Sequence, residues 1–98
     1  MILYNVTVSL DPSIHTDWLE WMKNIHIPEV MATGFFVENK ICRVLVDDEI
    51  TYAIQYSCES LEKLHDYQEN YAPELQQKHT ERYKGKFGAF RTLLEIIE

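Results

Sequence analysis

The chain opens with a segment in which every second side chain belongs to one largely apolar set. That set, in residues 2–10, is Ile2, Tyr4, Val6, Val8 and Leu10. A period of two is typical of a β-strand that buries one face. Asp11 and Pro12 follow, and both suit the start of a helix, Asp as the cap and proline as the first helical residue. We therefore predict a strand over 2–10 and a helix after it.

The second segment has the period of an amphipathic helix. Its apolar stripe is Ile14, Trp18, Trp21, Met22 and Ile25. Pro28 lacks a backbone donor and its ring clashes with the preceding turn. We therefore predict that the helix kinks or ends near His26 and Ile27 and restarts for about a turn to Thr33. Gly34 is the predicted left-handed residue after the helix.

The rest of the chain repeats the alternation of strand and helix patterns. Ser57 or Ser60 is the predicted cap of the second helix, and Pro73 interrupts this helix as Pro28 interrupts the first. The predicted elements are a strand at 35–46, an acidic turn at 47–49, a strand at 50–57, a helix up to 84–86 and a strand at 87–97.

The order of these elements predicts an α+β fold of the ferredoxin-like βαββαβ type. Right-handed crossovers place both helices on one face of a four-stranded antiparallel sheet. The apolar parity of the first strand, and Tyr52, Ile54 and Tyr56, are predicted to face the helices. The residues predicted on the opposite, open face are Leu3, Asn5, Thr7, Thr51, Ala53, Gln55, Ala89, Arg91 and Leu93. The orientation of the second strand stays open.

The open face indicates how the protein assembles. A bare sheet face of mixed polar and apolar residues usually needs a partner. Two such sheets packed face to face about a two-fold axis form a dimeric α/β barrel, and two-fold dimers are the commonest homo-oligomers. The apolar segment 93–97 favours this arrangement, because an exposed apolar edge invites aggregation. We therefore predict a homodimer.

Composition narrows the class of protein. The chain has 98 residues, of which 46% are hydrophobic, and a formal net charge of −7. This suits one domain over 1–98 with one core, and it argues against a nucleic-acid or anionic-membrane partner. No secretory signal follows Met1 and no apolar run is long enough to span a membrane. Cys42 and Cys58 fall in strand patterns, so we expect a cytoplasmic protein without disulfides.

The sequence resembles a known family over nearly its whole length. The segments that carry the resemblance are Met1-Ile2-Leu3-Tyr4-Asn5-Val6-Thr7-Val8, His26-Ile27-Pro28, Thr33-Gly34-Phe35, Tyr52-Ala53-Ile54-Gln55-Tyr56 and His79-Thr80-Glu81-Arg82-Tyr83-Lys84-Gly85-Lys86-Phe87. The family consists of short bacterial proteins classed only as a domain of unknown function. The resemblance implies the βαββαβ fold and a stand-alone protein, and it implies no activity.

A broader resemblance, at the level of the fold, is to the dimeric α/β-barrel superfamily. This superfamily includes small monooxygenases, haem-degrading enzymes, isomerases, mutarotases and ligand-binding regulators. Its haem-degrading members place an Asn on the first strand, a Trp on the third and a His on the second helix. Asn5 and His79 match the first and last of these in type. The third strand offers Tyr52 and Tyr56 where the resemblance requires a Trp, so haem stays a minor alternative to a protein without a cofactor.

Five residues are the candidate ligand-binding set: Asn5, His26, Gln55, His79 and Arg91. Two roles are open for the polar residues of the predicted open face, which are Asn5, Thr7, Gln55 and Arg91. They line a sheet-enclosed cavity, where Arg suits a carboxylate or phosphate and the amides fix the orientation of the ligand. Alternatively, they form hydrogen bonds across the dimer interface. His26 and His79 either stabilise helix ends or act as ligand, acid or base. No metal motif is present, since the histidine spacings place neither pair on one turn of a helix.

The sequence favours a small ligand- or partner-binding homodimer without catalytic activity. The alternative is a small monooxygenase, such as a haem-degrading enzyme, or an isomerase that uses the same cavity. A closed apolar cavity that holds His26 or His79 beside Arg91 favours the enzyme. A sheet interface without a cavity favours a structural or interaction protein.

Overall fold

A four-stranded antiparallel sheet is the centre of the structure, a computed structural model that covers residues 1–98. Its strands are β1 (Ile2–Leu10), β2 (Phe36–Val44), β3 (Ile50–Cys58) and β4 (Phe87–Glu95). The spatial order is β2-β3-β1-β4, so β1 and β3 are central and β2 and β4 are the edges. The predicted ferredoxin-like βαββαβ fold is therefore confirmed, with strand ends that differ from the prediction by one or two residues.

The first helical layer follows β1 and contains a π-helical turn. It consists of a 3₁₀ turn (Pro12–Ile14), α1 (His15–Trp21), the π turn (Met22–His26) and α2 (Ile27–Ala32). The Asp11 carboxylate accepts a bond from the Ser13 N–H at 2.9 Å and caps the start. Pro28 has no N–H to donate to the carbonyl four residues earlier. Just before it, the Ile27 N–H bonds to the Met22 carbonyl five residues earlier, which is the pattern of a π turn. The helix therefore widens at the predicted interruption and does not end there.

The π turn changes which side chains of this layer are buried. Ile25, predicted on the apolar stripe, is 46% exposed, so that prediction is wrong. The wider turn holds an extra residue, and this rotates the later residues relative to an α-helical stripe. Met22, His26 and Val30 now share the side that faces the sheet.

The second helical layer is also in two parts, α3 (Leu61–Asn70) and α4 (Ala72–Tyr83). The Ser60 hydroxyl accepts from the Lys63 N–H at 3.2 Å, so Ser60 and not Ser57 is the cap. Tyr71 has a non-helical backbone (φ −125°), and Pro73 lies in the first turn of α4, where its missing donor does no harm. No helix in the structure is both long enough and apolar enough to cross a membrane.

The pairing of β4 with β1 corrects the predicted face of three residues. Arg91 lies opposite Val6, and β4 continues this register with Ala89 opposite Val8 and Leu93 opposite Tyr4. Directly paired residues of an antiparallel sheet share a face, so Ala89, Arg91 and Leu93 lie on the helix-covered face. The prediction that they lie on the open face is wrong. Alternation within β4 cannot reveal its parity, because both faces of this edge strand are largely exposed.

The structure also settles the orientation of β2. Ile41 pairs with Ile54, so Ile41 lies on the helix-covered face and Cys42 on the open face. An irregularity between Phe36 and Glu38 shifts the register once along the strand. Phe36 and Ile41, on either side of this irregularity, therefore both lie under the helices although an odd number of positions separates them.

Candidate functional site

A small cavity lies between the helix-covered face of the sheet and the two helical layers. Its volume is about 60 Å³ and most of its lining residues are hydrophobic. Three of the lining residues, Ala89 and Arg91 on β4 and Thr80 on α4, are exposed, so the cavity opens between these two elements. Its ring-bearing polar residues form a histidine end, His26 and His79, and a tyrosine end, Tyr4, Tyr56 and Tyr67. The other polar lining residues are Gln76, Thr80 and Arg91.

The histidine end is built by the π turn and α4 together. The rings of His26 and His79 approach to 5.9 Å between centroids. His26 stacks on Trp21 with centroids 5.0 Å apart. The Trp18 indole Nε1–H donates to Nε2 of His79 at 2.8 Å. Burial lowers the pKa of both rings to about 4, and Arg91 and the opposite ring's charge act in the same direction on His79. Both histidines are therefore neutral at pH 7.

The tyrosine end is built by the two central strands and α3. The rings of Tyr56 and Tyr67 each lie 6.2 Å from that of Tyr4. The Tyr4 hydroxyl accepts from Arg91 Nε at 3.1 Å. Burial, and the neighbouring tyrosines next, raise the pKa of Tyr56 and Tyr67 well above the ordinary range. These hydroxyls are therefore protonated at pH 7.

Arg91 is the only side chain lining the cavity that is charged at pH 7. No aspartate or glutamate is among the lining residues. The guanidinium therefore meets neutral histidines and neutral tyrosines, and the field inside the cavity favours a negative charge. No group of three or more His, Cys, Asp or Glu side chains is arranged to hold a metal ion.

The structure divides the predicted site residues between the two faces of the sheet. His26, His79 and Arg91 come together in the cavity. Asn5 and Gln55 lie on the open face, where the Asn5 amide donates to the Thr7 hydroxyl at 3.0 Å. Gln55 lines a separate groove of about 110 Å³ beside Leu3, Glu38 and Lys40. One cavity containing all of the predicted residues therefore does not form.

Haem does not fit the residues present. Asn5 and His79 lie on opposite sides of the sheet, so the pair suggested by the superfamily resemblance does not meet. Nε2 of His79 is engaged by Trp18, and a cavity of about 60 Å³ holds no porphyrin. Both tryptophans lie in the first helical layer and none on β3.

Sequence reasoning missed two features of the cavity. It treated the histidines helix by helix, and so did not foresee that His26 and His79 meet across the two layers. It assigned Tyr4 and Tyr56 to the core without a polar role, although both line the cavity. The available signal was that both tyrosines carry a hydroxyl into a largely apolar face, where a polar group needs a partner.

The family of the chain follows from comparison with family sequences. Residues 1–97 match the family described as "Domain of unknown function (DUF4286)". The chain belongs to this family. The resemblance seen in the sequence is thereby confirmed, and the function of the family is not known. No curated protein matches the chain.

Solved structures share the fold over almost the whole chain. A dimeric ferredoxin-like protein from an uncultured marine organism matches with a TM-score of 0.73 and 12% identity, covering 100% of this chain and 96% of that one. A mutant of SnoaB, a cofactor-independent oxygenase from Streptomyces nogalater, matches with a TM-score of 0.73 and 9% identity, covering 99% and 94%. The heme-degrader MhuD from Mycobacterium tuberculosis, solved with two hemes in its active site, matches with a TM-score of 0.69 and 14% identity, covering 100% of this chain and 97% of that one. At these identities the similarity shows the ferredoxin-like fold alone.

Proposed function

We propose that the protein binds a small organic acid in the cavity between the sheet and the helices, without changing it chemically. The observation that carries this proposal is the single charge of Arg91 in a lining of neutral and apolar groups. A guanidinium binds carboxylates through paired N–H donors. An apolar surround strengthens such a contact because it excludes water.

The size and opening of the cavity restrict how this ligand is placed. About 60 Å³ is small beside the roughly 300–1,000 Å³ of pockets for drug-sized ligands. The acid group therefore enters the cavity, and an apolar or aromatic body lies at the opening along β4. Ala89 and Leu93 are exposed there on the same face as Arg91 and present apolar surface to such a body.

The proposal is tested by titrating benzoate into the ¹⁵N-labelled protein and following amide and side-chain NMR shifts. We expect shifts at His79, Arg91 and Thr80 and none at Gln55, since Gln55 lies on the other face. Benzamide has the same shape without the charge and should bind at least tenfold more weakly, as expected for loss of a charged hydrogen bond.

Arg43 provides a matched control for Arg91. Both are exposed arginines on edge strands and both lie on the helix-covered face. Arg43, on β2, lies over the Tyr52 ring of β3 and does not line the cavity. Arg91→Met should abolish benzoate binding, and Arg43→Met, which removes the same charge, should leave it unchanged. Equal losses in both variants would contradict a specific site.

A second candidate function is proton transfer on the bound molecule, as in an isomerase or a cofactor-independent oxygenase. The pair of neutral histidine rings, 5.9 Å apart beside a guanidinium, favours it. It ranks second because the cavity opens between β4 and α4, whereas a closed cavity was expected for an enzyme. The neutral His26 imidazole can take a proton from carbon while His79 and Arg91 hold the resulting enolate oxygen. A bound anion raises the pKa of both rings, because it stabilises their protonated form.

Hydrogen exchange into a small diketone tests this second candidate. Acetylacetone in D₂O is followed by NMR. The imidazole removes a C–H proton, the electron pair moves to the enolate oxygen, and solvent returns a deuteron to carbon. Catalysed exchange should vanish in His26→Ala or His79→Ala and persist in His65→Ala, whose side chain is exposed on α3. Identical exchange in all three variants would leave binding as the better proposal.

We also propose that the protein acts as a homodimer joined through the open face of the sheet. On this face, β4 exposes Phe90 (61% exposed) and Leu94, which pair with Thr7 and Leu3 of β1. A second copy related by a two-fold axis would cover Phe90 and Leu94 of both chains at once. A solved structure of the same fold is described as dimeric, which supports the proposal.

Light scattering coupled to gel filtration tests the dimer. The wild-type protein should elute with twice the mass of one chain, and Phe90→Glu should elute as a folded monomer. Leu45→Glu is the control, because Leu45 is 92% exposed but lies beyond the end of β2. A wild-type monomer at micromolar concentration would contradict this arrangement. It would not contradict the proposed ligand site in the cavity.

A further inference from the structure

The bond between Trp18 and His79 determines which nitrogen of His79 carries its proton. An indole nitrogen only donates hydrogen bonds. Since Trp18 Nε1 lies 2.8 Å from Nε2 of His79, Nε2 must accept, and the proton of the neutral ring lies on Nδ1. This assignment follows from the geometry alone. A protonated ring would place two N–H donors against each other, so the contact also opposes the charged form.

Trp18 is held firmly enough to impose this tautomer. Its side chain is completely buried. Its ring packs against Tyr52, with centroids 5.2 Å apart, and Tyr52 in turn bonds to His15 Nε2 at 2.7 Å. On its other side the His79 ring meets Phe87 edge to face at 4.4 Å. Neither ring is free to turn and exchange the roles of the two nitrogens.

Nδ1 of His79 forms no hydrogen bond within the protein, although the ring lines the cavity. Its N–H is therefore a donor left for a ligand. The neighbouring charged group, Arg91, is also a donor only. His79 and Arg91 therefore both favour an oxygen that accepts hydrogen bonds and carries negative charge.

We propose that Trp18 is a positioning residue that locks His79 as the Nδ1–H tautomer, so that His79 and Arg91 together bind an anionic oxygen of a carboxylate, phenolate or enolate. The ligand part of this inference rests on the proposed function of the cavity. The tautomer part does not, because it concerns the protein without ligand.

The first test is the ¹⁵N spectrum of the histidine rings at pH 7 in the wild-type protein and in Trp18→Phe. We expect His79 of the wild type to show a protonated Nδ1 and an unprotonated Nε2. Trp18→Phe keeps an aromatic ring but lacks the donor, and its His79 should show a mixture of both tautomers. Trp21→Phe is the matched control, because Trp21 also packs against His79, at 5.8 Å, without a hydrogen bond to it. Its spectrum should match the wild type.

A protonated Nε2 in the wild type would overturn the lock, whether or not either variant folds. The same tautomer in wild type and Trp18→Phe would overturn the role of Trp18. Benzoate binding then tests the ligand part: we expect about tenfold weaker binding in Trp18→Phe and none of this loss in Trp21→Phe. Equal benzoate affinity in wild type and Trp18→Phe would overturn the positioning role. Absence of benzoate binding in the wild type would instead contradict the proposed function, while the spectra decide the tautomer separately.

Discussion

The two faces of the sheet use the same four strands for different purposes. The helix-covered face carries the buried aromatic side chains and Arg91, and with His26 and His79 of the helical segments it lines a cavity. The open face carries small polar residues in its centre, joined by bonds such as Ser9 to Thr51 at 3.1 Å, and apolar residues on β4. The first face therefore has the features of a ligand site, and the second those of an interface.

This contrast shows why the position of a polar residue on a strand says little without its face. Gln55 and Ile54 are neighbours on β3, yet Ile54 is 1% exposed under the helices and Gln55 lines the groove on the other side. Arg91 was predicted on the open face, either in a sheet-enclosed cavity or at the dimer interface, and its correct face makes it the one charge of the cavity under the helices. Pairing register decides this, since a shift by one residue exchanges the faces.

The largest effect that tests the contrast is expected from Ile54→Ala compared with Gln55→Ala. Removing the buried Ile54 side chain should lower the free energy of unfolding by about 2–5 kcal/mol, because a cavity remains in the core. Gln55→Ala should change it by less than about 1 kcal/mol. Urea unfolding at one fixed protein concentration measures both. Equal losses would mean that the open face contributes to stability as a core does.

The next effect is the dependence of stability on pH. The pKa of His26 and of His79 falls from 6.5 in the unfolded chain to about 4 in the folded protein. The unfolded state therefore binds more protons between these values, so stability is complete above pH 6.5 and falls as the pH is lowered towards 4. The free energy of unfolding lost in this range is at most about 3 kcal/mol per histidine.

Urea unfolding between pH 7 and pH 5 measures this slope before most carboxylates titrate. Burial is the main cause of both lowered pKa values. For His26, the charge of Glu29 raises the pKa, and the charges of Lys78 and Arg91 lower it. For His79, the charges of His26 and Arg91 lower the pKa further. His79→Phe should flatten the slope, and His65→Ala, on the exposed side of α3, should not. The slope that remains in His79→Phe belongs to His26, whose pKa is lowered in the same way, whereas a slope equal to that of the wild type would show that His79 makes no contribution.

A smaller effect is expected on the open face from Thr51→Val. The substitution keeps the shape of the side chain and removes the bond of its hydroxyl to Ser9. We expect a loss of about 1 kcal/mol, as for a single neutral hydrogen bond. Ser9→Ala in the same background should then add nothing, because the partner is already lost. Full additivity of the two losses would show that the bond contributes no coupling.

The smallest effect on stability is expected from Arg91→Met. The side chain is exposed and its bond to Tyr4 is partly open to solvent, so the free energy of unfolding should change by less than about 0.5 kcal/mol. Thermal unfolding measures it. A large loss would assign Arg91 to the fold and weaken the proposal that its purpose is to bind an acid.

The sequence by itself determined the order of elements, and with it the fold. Strict alternation in 2–10, the two proline-interrupted helical patterns and the acidic turn before β3 depend on local preferences and on burial of one face, which short segments express directly. The interruption at Pro28 was also evident, because the loss of a backbone donor is a local event. Its form, a π turn that exposes Ile25 and turns His26 towards the sheet, was not.

Only the tertiary structure decided which side chains form the site. His26 and His79 meet because two helical layers cross the same part of the sheet, and Arg91 joins them because β4 pairs with β1 in one register. The bond from Trp18 to His79 spans 61 positions of the chain. Such contacts depend on packing and register between distant segments, for which the hydrophobic pattern of each segment alone holds no information.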